Sequence, residues 1–121
     1  MTLQELYSVI GGDYDKAMCV LRIEKLLDKH IRRFAENDSV EKLLSACDIM
    51  DQNELFEAAH ALKGVSANLG LTYITSAASE ISEEFRSGNE RTMSDDEVKN
   101  KVNEIRDMFN RTVDSIKQYE A

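Results

Sequence analysis

Apolar residues recur at steps of three and four along most of the chain, which is the spacing of amphipathic α-helices. Thr2 and Glu5 match a capping box and Gly11-Gly12 ends the first pattern, so a short helix is expected over about residues 2–10. From 13 to 50 the pattern predicts one bent helix or two collinear helices. The apolar positions of that segment are Ala17, Val20, Ile23, Leu27, Ile31, Phe34, Val40, Leu43, Leu44, Cys47 and Met50.

Signals for helix starts divide the N-terminal segment at two places. Asp13 is the predicted N-cap of its first part. Near Asn37 the pattern bends or breaks, and Asp38 with Glu41 matches a second capping box that can restart the helix. The boundary between the two parts is not defined by the pattern alone.

The next predicted helix lies between Asp51, an N-cap with Glu54 three residues later, and Gly70, a C-terminal stop. At about 100° per residue, one side of this helix is apolar, and His60 points roughly 160° away from Leu62 on that side. The apolar side consists of Leu55, Ala58, Ala59, Leu62, Val65, Ser66 and Leu69. The helix is therefore expected to bury an alanine- and leucine-rich stripe and to expose an imidazole.

Two more amphipathic helices follow. One spans about 72–88, a polar turn expected to be mobile leads to Met93, and Ser94 with Glu97 matches the capping box of a long last helix. The last stripe has heptad spacing, which is typical of nearly antiparallel helix bundles. We therefore predict an all-α fold: an antiparallel up-down four-helix bundle over about 13–119, with the short N-terminal helix as an accessory, in a single domain of residues 1–121. The last stripe is Val98, Val102, Ile105, Phe109, Thr112, Ile116 and Tyr119.

Charge and composition exclude several classes of partner. Fifteen basic and 23 acidic residues give a net charge of −8, which argues against nucleic acid and anionic membranes as principal partners. The absence of a leader and of a run of about 18 apolar residues favours a cytoplasmic protein. The Met1 start and the full set of helices favour a stand-alone protein over a piece of a multidomain kinase.

No metal site is expected. Cys19 and Cys47 have neither Cys-x-x-Cys nor zinc-type spacing, so both are predicted to be buried free thiols. His30 follows Lys29 and precedes two arginines, and it has no small residue one turn on, so we interpret it as a partly exposed structural or solvated histidine and not as a site. No His-x-x-x-His motif and no carboxylate cluster joins it to His60.

His60 has the neighbours that an exchangeable phosphoryl group requires. Gly64 and Ala67, one and two turns along, have almost no side chain, so the approach to the ring is open. Glycine inside a helix costs about 0.5–1 kcal/mol relative to alanine, so some gain is expected to offset it. Lys63 lies on an adjacent track and can reach an anion attached to the ring. A neutral imidazole is a good nucleophile. An exposed imidazole with an open approach and a nearby ammonium therefore suits a side chain that accepts a phosphoryl group and returns it.

His60-x-x-Lys63-Gly64 followed by Asn68-Leu69-Gly70 resembles the signature of histidine-containing phosphotransfer (HPt) domains. The resemblance extends from about Gly11 to the last helix. It implies a phosphohistidine carrier that accepts the group on His60 from a receiver-domain aspartyl phosphate, or from a sensor kinase system, and passes it to another receiver aspartate. The implied partners are response-regulator receiver domains, with a hybrid sensor histidine kinase as a further candidate. The carrier is expected to be a monomer without a cofactor, and Mg²⁺ is expected only in the receiver.

The remaining candidate site residues lie on two helices. Phe56, Glu57, Ala59, Ala61 and Ala67 are expected to contact the receiver. Ser79, Ser82 and Arg86 form a polar track that can reach the ring or its phosphoryl, although for Ser79 a solvated stripe is favoured. Some family members have an arginine at the position of Arg86, and some have a longer amide at Ser82.

No ATP-binding motif is present, so the protein is not predicted to be a kinase. The alternative is a helical adaptor without phosphoryl transfer, in which His60 is an ordinary surface residue.

Overall fold

The computed structural model describes residues 1–120. They form seven α-helices joined by short loops, and the described residues contain no strand. The all-α prediction is confirmed. The helices are α1 (Leu3–Ile10), α2 (Tyr14–Leu21), α3 (Glu24–Phe34), α4 (Ser39–Asp48), α5 (Gln52–Asn68), α6 (Thr72–Glu84) and α7 (Asp95–Glu120).

The four C-terminal helices contact one another in a closed ring, in which α4 touches α5, α5 touches α6, α6 touches α7, and α7 touches α4. Helices α1 and α3 pack on α7, and α2 packs on α3 and α5. The apolar stripes meet in one connected core, as expected for amphipathic helices that must bury one face each. The largest fully buried side chains are Tyr7, Phe34, Leu6, Leu27, Ile31, Leu43, Leu55, Leu62, Leu69, Ile81, Ile105 and Ile116.

The prediction of one or two helices over residues 13–50 is wrong, because three helices form there. Arg22 ends α2 with a positive φ of 74°, and its backbone N–H donates to the carbonyl of Met18. The break changes the phase of the apolar stripe, so Val20 and Ile23 are 48% and 53% exposed. Cys19, predicted to be buried, is exposed, and only Cys47 is buried.

The capping predictions hold at α1, α2, α5 and α7 and fail at α4. Thr2 and Glu5 form the reciprocal box of α1, and Ser94 and Glu97 form that of α7. The backbone N–H of Lys16 donates to the Asp13 side chain at the start of α2. At α4 the Asp38 side chain makes no capping bond, and the amide oxygen of Asn37 accepts from the Ser39 N–H instead.

The C-terminal end of α5 is fixed by the N-terminal segment. The Tyr7 hydroxyl donates to the Leu69 carbonyl at 2.6 Å, and the Asp13 N–H donates to the Gly70 carbonyl at 2.8 Å. Gly70 has a φ of +66°, a left-handed conformation that glycine adopts without steric cost. These contacts set the position of the helix that contains His60.

The loop between α6 and α7 is bonded to the end of α6, in contrast to the mobile turn expected from sequence. The buried Glu84 carboxylate accepts from the Thr92 N–H and hydroxyl and from the Met93 N–H, all within 2.7–2.8 Å. Burial alone would raise the pKa of Glu84, but these hydrogen bonds outweigh it and lower the pKa. The loop is therefore anchored by an ionised carboxylate.

Candidate functional site

His60 is exposed at the middle of α5, as the helical pattern predicts. The Asp51 side chain accepts from the Glu54 N–H at the start of this helix, so the predicted N-cap is confirmed. The opposite side of the helix is buried in the core through Leu55, Ala58, Ala59, Leu62 and Ser66. Among residues 1–120 no hydrogen bond holds the His60 ring, so its orientation depends on packing.

An aromatic ring supplies that packing. The Phe56 and His60 rings lie one helical turn apart and stack, with centroids 5.4 Å apart and planes inclined by 14°. The Arg86 guanidinium lies 5.5 Å from the centroid of Phe56. The stack lies against a face of the imidazole and leaves the unprotonated ring nitrogen, whose lone pair lies in the ring plane, free to react. The four-residue spacing of Phe56 and His60 is the sequence signal for this stack. From sequence alone, Phe56 is assigned only a contact with the receiver.

Arg86 is held in place by α6 itself. Its Nη2 and Nε lie 2.9 and 3.1 Å from the same oxygen of Glu83. The hydrogen bond from Arg86 is the main cause of a lowered pKa of Glu83, and the positive charge of Lys63 contributes to it. Arg86 thus reaches the site through the Phe56 ring, whereas the sequence predicted a hydrogen bond to the imidazole or its phosphoryl.

Two of the predicted site residues are turned into the core. Ser82 is fully buried, and its hydroxyl donates to the Ser79 carbonyl, so it cannot reach a group on the exposed ring. Ala59 is also fully buried, because it lies about 100° round the helix from His60 on the apolar side. The predictions for Ser82 and Ala59 are therefore wrong.

The helical glycine beside His60 has no packing role. Gly64 is exposed, and a Cβ built on it meets no heavy atom within 4 Å. The fold therefore does not require a glycine at this position. The open space that it leaves lies one turn from the imidazole.

Two grooves run along α5, one on each side of His60. The groove between α5 and α6, about 360 Å³, is lined by Lys63, Ala67 and Ser79 among others. The groove between α4 and α5, about 870 Å³, is lined by Glu57 and Ala61 among others. Of the predicted partner residues, Glu57 and Ala61 therefore line one groove and Ala67 lines the other, and Ser79 lines the same groove as Lys63.

The described residues contain neither a membrane-spanning candidate nor a metal-binding cluster. No helix within residues 1–120 is long and apolar enough to cross a membrane. No group of three or more histidine, cysteine or acidic side chains within the same range can hold a metal ion.

In a comparison with known families, residues 18–115 match the Hpt domain family. A search of curated proteins found no match, and a search of solved structures found none either. The matched range covers most of the chain and contains the exposed histidine with its stacked ring and open glycine. The chain therefore belongs to the Hpt domain family, whose members carry phosphoryl groups in two-component signalling.

Proposed function

We propose that this protein is a phosphorelay intermediate. His60 accepts a phosphoryl group from a receiver-domain aspartyl phosphate, or from a sensor kinase system, and passes it to another receiver aspartate. The observation that supports this proposal most is an exposed imidazole beside a glycine that the fold does not need, within a matched Hpt domain.

The transfer proceeds by in-line displacement at phosphorus. The lone pair of His60 Nε2 attacks the phosphorus while the bond to the aspartyl oxygen breaks, and its electron pair leaves with the carboxylate. The proton on Nδ1 stays on the ring, so the product is an imidazolium whose positive charge partly offsets the phosphoryl charge. The reverse sequence returns the group to a receiver, so no external oxidant, reductant or nucleotide enters the balance.

Lys63 supplies a mobile positive charge to this step. Its ammonium lies within 4 Å of no carboxylate among residues 1–120, whereas Arg86 is occupied by Glu83. We assign Lys63 the role of offsetting phosphoryl charge. Arg86 and Phe56 orient the imidazole by stacking, and Ser79 lies in the same groove as Lys63.

The scaffold that we propose is the up-down four-helix arrangement, which the ring of contacts between α4, α5, α6 and α7 supports. A receiver domain contacts the exposed part of α5 through Phe56, Glu57, Ala61 and Ala67 in a small, transient interface. The protein acts as a cytoplasmic monomer and binds no cofactor, and the Mg²⁺ of the reaction belongs to the receiver. A hybrid sensor kinase is a further candidate partner.

The test is incubation of the full chain with phosphorylated receiver domains, followed by measurement of acid-labile phosphate on the protein. Wild type should acquire the label, and His60→Gln should lose it completely, because an amide cannot act as the nucleophile. His30→Gln is the matched control and should label like wild type. Circular dichroism should show that both variants keep the helical fold.

Labelling of His60→Gln at the wild-type rate would contradict the proposal. Absence of label on wild type with every receiver tested would favour the alternative, a helical adaptor without phosphoryl transfer.

A further inference from the structure

The two grooves beside His60 carry opposite charge. The α5–α6 groove contains three charged residues, Lys16, Lys63 and Glu80. Glu80 is paired with Lys101 of α7 at 2.8 Å, which offsets its negative charge. Within residues 1–120 neither Lys16 nor Lys63 has a carboxylate within 4 Å, so this groove is positive on a chain of net charge −8.

The groove on the other side of His60 is negative. Its charged residues are four carboxylates, from Asp38, Glu41, Glu54 and Glu57, and one ammonium, from Lys42. The Lys42 ammonium is already paired with Asp38 at 3.3 Å. The imidazole therefore lies on a boundary between a positive and a negative surface.

A receiver docked on His60 brings its charges close to the positive groove. A small interface buries up to about 600 Å² on each partner, which corresponds to a circle of about 14 Å radius. With a rise of about 1.5 Å per residue, Gly70 lies about 15 Å along α5 from His60. Gly70 and Lys16 line the same groove, so we place Lys16 near the edge of a receiver centred on His60, where charges still act over the Debye length of about 10 Å at 0.1 M salt.

We propose that the α5–α6 groove, through the charges of Lys63 near His60 and Lys16 at its far end, attracts the anionic rim of the receiver's phosphorylation site and thereby fixes the direction in which the receiver docks. This inference rests on the proposed function. The aspartyl phosphate and the carboxylates that hold Mg²⁺ make that rim anionic, so it is attracted to the positive groove and repelled by the negative one. Lys16 is too far from His60 to touch the transferred group, so it acts on docking alone.

The experiment measures phosphoryl transfer to the full chain from the phosphorylated receiver that labels wild type fastest in a panel from the source organism. Lys16→Glu should raise the KM for the receiver about 5–10-fold at low ionic strength and leave kcat unchanged, because it weakens encounter and not chemistry. High salt should shrink the difference. Lys16→Arg should retain the wild-type KM.

Lys117→Glu is the matched control, since it makes the same charge change at an exposed position on α7, which lies across the ring of helices from α5. An equal KM for Lys16→Glu and Lys117→Glu would overturn the docking inference and leave the role of His60 intact. Phosphoramidate, a small donor that needs no docking surface, should label Lys16→Glu at the wild-type rate. Slower labelling by phosphoramidate would also overturn the inference, because Lys16 would then act through the fold. Failure of wild type to take label from any donor would instead remove the proposed function.

Discussion

The middle and the C-terminal end of α5 each contain a glycine, and the two glycines have opposite relations to the fold. At Gly70 the φ is +66°, and an added Cβ would lie 2.3 Å from the carbonyl oxygen of Asp13. At Gly64 an added Cβ would meet nothing within 4 Å. Packing and backbone geometry thus explain Gly70 but not Gly64. The comparison supports the proposal that Gly64 keeps the approach to His60 open.

The surroundings of the two positions differ in the same way. The end of α5 is held by the Tyr7 hydroxyl and by the Asp13 N–H, both from the N-terminal segment. The middle is exposed, and the ring of His60 contacts Phe56 rather than a hydrogen-bonding partner. The helix is therefore fixed at its end while its centre stays open to another protein.

The largest expected effect is that of Gly70→Ala on stability. A left-handed residue with a side chain costs about 1–2 kcal/mol, and the contact with Asp13 must also be relieved by moving α2 away from α5. We expect a total loss of about 4 kcal/mol in the free energy of unfolding. Urea denaturation followed by circular dichroism measures it.

Gly11→Ala is the control for that prediction, because Gly11 has a φ of +69° and open space around its missing Cβ. It should lose only the backbone contribution of about 1–2 kcal/mol. Equal losses at Gly11 and Gly70 would show that the contact between position 70 and Asp13 relaxes freely. Packing would then no longer distinguish Gly70 from Gly11.

The next largest effect concerns transfer and not stability. Side chains on a helix point toward its N-terminus, so a glutamine at position 64 would extend over the ring of His60 one turn before it. Gly64→Gln should slow transfer from a phosphorylated receiver by about 10–100-fold, or about 1.4–2.7 kcal/mol in activation free energy. Rapid-quench labelling measures the rate.

Labelling of Gly64→Gln by phosphoramidate should fall less than labelling by the receiver, since a small donor needs less room. The midpoint of urea denaturation should not fall below that of wild type, because no neighbour is displaced. A wild-type rate with the receiver would mean that the open space beside His60 is not used in docking.

The sequence predicts which faces of the helices are buried better than it predicts where the helices break. Local spacing indicated the stripe of α5 and the outward direction of His60, because both depend only on the helical repeat. The break at Arg22 has neither glycine nor proline to mark it, and it places Val20 and Ile23 on the surface. The spacing of apolar residues within one segment therefore does not reveal this break.

Contacts between distant segments account for the other differences. The motif around His60 indicated the nucleophile and the open glycine, but not the groove that joins Lys63 to Lys16 of α2. The spacing along α6 places Ser82 on a polar track, but it does not contain how α6 turns against α5, which buries this side chain. Ala59 shows a different error, since its position on the apolar side of α5 already predicted burial.

The smallest expected effect is that of Gly64→Ala on stability, and its sign should be opposite to that of Gly70→Ala. Gly64→Ala places a methyl group in open space and reduces the conformational freedom of the unfolded chain, so it should stabilise the protein by about 0.5–1 kcal/mol. Urea denaturation should show a higher midpoint, opposite in direction to Gly11→Ala and Gly70→Ala. Transfer from the receiver should stay within about twofold of wild type, because a methyl group is too short to cover the imidazole. A loss of stability in Gly64→Ala would mean that the glycine serves the fold after all, and the argument from access would then rest on Gly64→Gln alone.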